Sequence, residues 1–194
     1  THLKNAKVID FRVRVPLALC PNIDLPDANI TQYDAVLNTV EKSTAAQTTD
    51  DLLGAMDAAG VDHAVVHAEH EHGDVADALN RAVADMVEQH PQRFTGIGTV
   101  SLHNLSIPRA LKQIEACAEM GMIGLSIEPA FFGLHLNEKK LYPIYAKAME
   151  KNLLVALHTG VNYTTDRPMA GENPMLLDEI ACDFPGLTLV ASHA

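Results

Sequence analysis

Apolar, strand-like runs alternate with amphipathic helical segments along the 194 residues, and this alternation limits the possible folds more than any other feature. The strand-like runs are 8–13, 61–68, 95–102, 123–127, 153–157 and 187–192. The helical pattern covers 32–42, then a segment with Thr49 as N-cap that stops at Gly60, then 75–89 ahead of Pro91. It resumes after Ser106, a capping residue, and reaches Met120 before Gly121. The last two helical segments are 138–151 and 174–183, and the proline-rich stretch 16–30 is irregular. Strands alternating with helices of this length imply parallel strands joined by right-handed crossovers. No linker or repeat divides the chain, so residues 1–194 are expected to form one α/β domain.

A doubly wound open sheet and a (β/α)8 barrel both fit that order. The open nucleotide-binding sheet calls for a glycine-rich turn after the first strand. Here Arg12-Val13-Arg14-Val15-Pro16 follows instead. Side-chain alternation also favours the barrel: Gly124, Ser126 and Glu128 share one face of their strand, opposite Ile123, Leu125 and Ile127. Ala156 and His158 likewise oppose Leu153, Val155 and Leu157. Small and polar residues point into a tight barrel, and bulky ones lie beneath its helices. Barrel chemistry sits where the strands end, and there the sequence places Arg12, Arg14, His67, Glu128, His158 and His193. Six strands against eight imply that about two further β/α units complete the barrel.

Composition removes several classes of function. The chain carries 14 Lys+Arg against 25 Asp+Glu, a net charge of −11. That balance is wrong for nucleic acid or an anionic membrane, which attract basic surfaces. Three cysteines in no paired or metal-like spacing (Cys20, Cys117 and Cys182) imply a reducing, cytoplasmic setting. The methionines Met120, Met122, Met149 and Met175 read as core or helix-face filler. The run from Phe131 to His135 reads as a loop over the rim, and Asp166 and Arg167 lie in the loop after the fifth strand.

The order Val-Ile-Asp-Phe-Arg-Val-Arg, Ala-Gly-Val-Asp-His-Ala-Val-Val, Gly-Leu-Ser-Ile-Glu-Pro, Ala-Leu-His-Thr-Gly and Val-Ala-Ser-His resembles the amidohydrolase-related superfamily. Within it the chain is similar to the amidohydrolase-2 branch, which includes aminocarboxymuconate-semialdehyde and resorcylate decarboxylases. The resemblance implies a distorted (β/α)8 barrel, a divalent metal (zinc or manganese), a small carboxylated substrate, hydrolase or decarboxylase chemistry, and homo-oligomers. By the same match His158 takes a metal-ligand role and His193 the acid–base role. The family's strand-one His-x-His pair, however, falls on Arg12 and Arg14, whose guanidiniums stay protonated and cannot ligate a metal. The His and Glu residues from His67 to His72 could recruit a metal in compensation, but such a run reads as a solvated loop. Alternatively Arg12 and Arg14, with Glu128 and His67, bind the substrate's anionic group or form an arginine–glutamate structural network. A catalytically silent barrel that binds a small anion, or serves only in self-assembly, is the competing expectation.

Overall fold

A computed structural model describes residues 7–19, 48–70, 73–161 and 168–193. Six parallel strands follow one another in chain order. β1 (Ile9–Arg14), β2 (His63–His67) and β3 (Phe94–Ile97) form one ladder, and β4 (Gly124–Ile127), β5 (Leu154–Leu157) and β6 (Leu189–Ala191) form the next. A parallel bridge between Gly98 and Leu125 joins the two ladders. There Gly98 N–H donates to Gly124 O at 2.9 Å and Ser126 N–H to Gly98 O at 2.7 Å. Between the strands lie α1 (Thr49–Ala59), α2 (Ala76–Gln89), α3 (Ile107–Glu119), α4 (Tyr142–Glu150) and α5 (Leu176–Asp183).

The strand alternation has the expected consequence. Leu125, Ile127, Val155 and Leu157 join Ile114, Cys117, Ile144 and Tyr145 in the buried core. Ser126, Glu128 and His158 occupy the opposite face. Gly98 shows how tightly the helix layer lies on β3: a Cβ there would meet Cys117 Sγ at 2.4 Å and Met122 Sδ at 2.6 Å. Gly98→Ala should therefore destabilise the protein by about 1–3 kcal/mol, as overpacking of a dense core does. A urea denaturation midpoint close to that of the wild type would contradict this.

Several boundaries differ from the sequence expectation, each for a local reason. The third strand ends at Ile97 because buried side chains replace the ladder beyond it. Thr99 N–H donates to Asn80 Oδ1 at 2.8 Å, Asn80 Nδ2 donates to Thr99 O at 2.9 Å, and Ser101 N–H donates to Gln113 Oε1 at 2.9 Å. The cap of α1 is Thr48, not Thr49, because a capping box needs an acidic partner three residues on. Thr48 has Asp51, and both halves of the box form. Ser106 precedes α3 but makes no side-chain cap. The helix expected over 138–151 divides into a 3-10 turn, Lys139–Leu141, and α4, with Pro143 in the first turn of α4. Met175 is 73% exposed and fills no core, and Ile123 is exposed outside its ladder. The helical segment 32–42, most of the irregular stretch 16–30, Cys20, Glu71, His72, Asp166 and Arg167 lie outside the described residues. Among the described residues, no helix is long and apolar enough to cross a membrane.

Candidate active site at the strand ends

Parallel strands deliver their C-terminal ends to one mouth, and six side chains foreseen from the sequence meet there with Glu69 and Glu172. Arg12 and Arg14 come from β1, whose pairing with β2 slips between Asp10 and Val13 before Arg14 aligns with His67. Asp10 turns back and accepts the Arg12 backbone N–H at 3.1 Å. Glu69 lies two residues past β2, Glu128 directly follows β4, His158 directly follows β5, and His193 lies two residues past β6.

Glu69 is the centre of the cationic half. Arg12 grips it bidentately along one edge of the guanidinium, Nε to Oε1 at 2.7 Å and Nη2 to Oε2 at 2.9 Å. Arg14 Nε lies 3.2 Å from Oε2, and Ser126 Oγ donates to Oε1 at 3.0 Å. His67 donates Nε2–H to the Phe11 carbonyl at 2.8 Å and holds Nδ1 3.3 Å from Glu69 Oε1. Burial raises the Glu69 pKa, but the His67 and Arg12 contacts and the Arg14 charge outweigh it, holding the carboxyl well below its usual value. Glu128 Oε1 takes Arg12 Nη2 at 3.2 Å and lies 3.9 Å from Arg14 Nη2. Two guanidiniums thus face two carboxylates. The Arg12 side chain is only 24% exposed, whereas Arg14 is 50% exposed and looks outward.

The run after β2 is therefore not a solvated loop as far as it is described: Glu69 and His70 are buried, and His70 packs edge-on against Phe132 at 5.5 Å. Two arginines at one strand end needed carboxylates opposite them, so Glu69 could have been found by charge matching. His67 is fully buried and reaches the mouth only through Glu69.

The second half is built on imidazole. His158 holds Glu172 Oε1 at 2.8 Å through Nδ1, while its ring meets Phe131 edge-on at 5.7 Å and His193 at 5.0 Å. Glu172 is fully buried on the 3-10 turn Met169–Glu172, and no residue spacing announced it. Arg12 Nη1 donates to His193 Nε2 at 2.7 Å. A guanidinium has no acceptor, so this ring nitrogen accepts and the imidazole proton resides on Nδ1. Loss of water at the mouth, then the Arg12 and His158 charges, lower the His193 pKa. Thr159 fixes the backbone beneath, its Oγ1 donating to His193 O and accepting His193 N–H.

A divalent metal needs about three protein ligands even at an open site. No group of three His, Cys, Asp or Glu side chains among the described residues could hold one. The carboxylates that face the mouth are turned onto arginine, and His193 Nε2 accepts from Arg12. The described residues thus assemble no ligand set for the metal that the sequence resemblance implies.

Comparison with known proteins agrees with the strand order. The family model described as amidohydrolase matches residues 26–194. A curated relative, 2-amino-3-carboxymuconate-6-semialdehyde decarboxylase of Dictyostelium discoideum, is 27% identical over 86 residues, 44% of this chain and 23% of the relative. An uncharacterized TIM-barrel protein, Bb4693 of Bordetella bronchiseptica, superposes with a TM-score of 0.71 at 24% identity, over 96% of this chain and 66% of that one. A 5-carboxyvanillate decarboxylase of Novosphingobium aromaticivorans, solved with bound manganese, gives a TM-score of 0.61 at 18% identity, over 97% of this chain and 66% of that one. The chain spans about two thirds of the length of these solved structures. The fold is that of the (β/α)8 TIM barrel, with six of its strands described here.

Proposed function

This chain belongs to the amidohydrolase family, and from that membership we propose a decarboxylase of a small carboxylated substrate, a lyase rather than a hydrolase. The observation that carries the reading is the 2.7 Å contact between Arg12 and His193. It puts a neutral imidazole beside two arginines, of which the half-exposed Arg14 suits a carboxylate. In this reading Arg12 and Arg14 stand in place of the strand-one metal pair. Arg14, half exposed and more loosely held by Glu128 at 3.9 Å, takes the substrate carboxylate through paired N–H contacts. Arg12 stays locked on Glu69 and Glu128 and holds the resting His193 ring in place. His158, held by Glu172, polarises the substrate, and His193, neutral at rest, first takes a proton from solvent and then, as the imidazolium, delivers one to the carbon that bears the carboxylate and returns to the neutral ring. The bond to the carboxylate breaks, CO2 leaves, and the carbon keeps the electron pair in its new C–H bond. His193 is exposed and regains its proton from solvent. The relatives' decarboxylase names support this choice of reaction. A cytoplasmic homo-oligomer belongs to the same reading.

One observation favours the silent barrel instead: two arginines against two glutamates leave no surplus positive charge. The test is CO2 release by the full protein from a panel of hydroxybenzoates and unsaturated dicarboxylates. Arg14→Met should raise KM by about tenfold or more, the worth of charge-assisted hydrogen bonds of about 1.5–3 kcal/mol. Carboxylate binding without CO2 from any substrate would favour the silent barrel.

A further inference from the structure

We infer that the Arg12 guanidinium is the resident cation of this mouth and that the site takes up no divalent metal. The inference rests on the mouth being the active site proposed above. Four acceptor atoms from three residues converge on one guanidinium: Glu69 Oε1 at 2.7 Å, Glu69 Oε2 at 2.9 Å, Glu128 Oε1 at 3.2 Å and His193 Nε2 at 2.7 Å. Carboxylate oxygens and an imidazole nitrogen are the donor types that a divalent ion would seek, and here the side chain of β1 already collects them. A metal entering among them would meet a like charge that cannot deprotonate.

The His158 imidazole does not change this. His158 Nδ1 is committed to Glu172 at 2.8 Å, leaving one nitrogen, whereas even an open catalytic zinc site needs about three protein ligands. This chain thus supplies positive charge to its barrel mouth from a side chain, whereas the 5-carboxyvanillate decarboxylase was solved with bound manganese. A guanidinium is covalently fixed and offers N–H groups in a plane. It binds a carboxylate by hydrogen bonds, and no chelator removes it.

The experiment is metal analysis of the full protein purified without chelator, followed by calorimetric titration with zinc and with manganese. The expected result is far less than one metal per chain and no saturable uptake at the mouth. One zinc or manganese per chain that is lost in the His158→Ala variant would overturn the inference. The double variant R12H/R14H, checked for folding by circular dichroism, should gain a stoichiometric metal, because it removes the competing cations and restores two imidazoles. A folded double variant that gains none also overturns the assignment. Should that variant fail to fold, the wild-type titration decides alone. CO2 release by a metal-loaded wild type would end this inference and leave the decarboxylase reading standing; a metal-free protein that releases no CO2 would do the reverse.

Discussion

His193→Ala should lower kcat for CO2 release by about 10²–10⁴-fold, the usual worth of a positioned proton donor or acceptor. The substitution is well placed to separate chemistry from folding. His193 is exposed at the mouth and follows β6 rather than lying inside it. Its ring accepts from Arg12 and packs edge-on against His158, while the backbone contacts with Thr159 do not depend on the imidazole. Stability should therefore change by much less than activity. KM should change little, because the proposed carboxylate contact belongs to Arg14. Steady-state kinetics beside a urea denaturation curve gives both numbers. An unchanged kcat in a folded His193→Ala protein would remove the imidazole from the mechanism.

Arg12→Met should destabilise the protein by about 3 kcal/mol at neutral pH, the lower part of the range for breaking a buried ion pair. The lower part applies because the Arg12 side chain keeps 24% of its exposure, whereas Glu69 keeps 1%. The lost partner would strand the Glu69 carboxylate, with Ser126, His67 and Arg14 as its partners among the described residues. The effect depends on pH in a definite sense. In the wild type the Glu69 pKa is depressed, so its contribution is complete above the ordinary glutamate value of 4.5 and is lost as pH falls below it. Arg12→Met removes the Arg12 hydrogen bond and charge that lower that pKa, so it rises and protonation relieves the stranded charge at higher pH than in the wild type. The stability gap between the two proteins should then be largest near pH 7 and shrink toward pH 4. Denaturation curves at the two pH values test this, and a gap that widens in acid would contradict it.

The barrel was legible because hydrophobic period is a local property. Leu125 and Ile127 opposite Ser126 and Glu128 follow from the two-residue repeat of a strand, whatever lies elsewhere. Strand lengths were less legible, since Asn80 and Gln113 end the third ladder from helices that only tertiary packing brings near. Thr48 rather than its neighbour Thr49 was the readable cap. Its mark was the aspartate three residues on.

At the site, Arg12, Arg14, Glu128, His158 and His193 stand at strand ends, and parallel strands must bring such ends to one mouth. The order of residues along the chain settled that much, because strand direction and side-chain alternation follow from the covalent backbone. Whether Glu69 would be a surface charge or the buried counter-ion of two arginines was decided only in the folded molecule. The same is true of Glu172, 14 residues beyond the imidazole it holds. Charge pairing depends on distance and on the exclusion of water, and both come into being only when segments far apart in sequence close over one another.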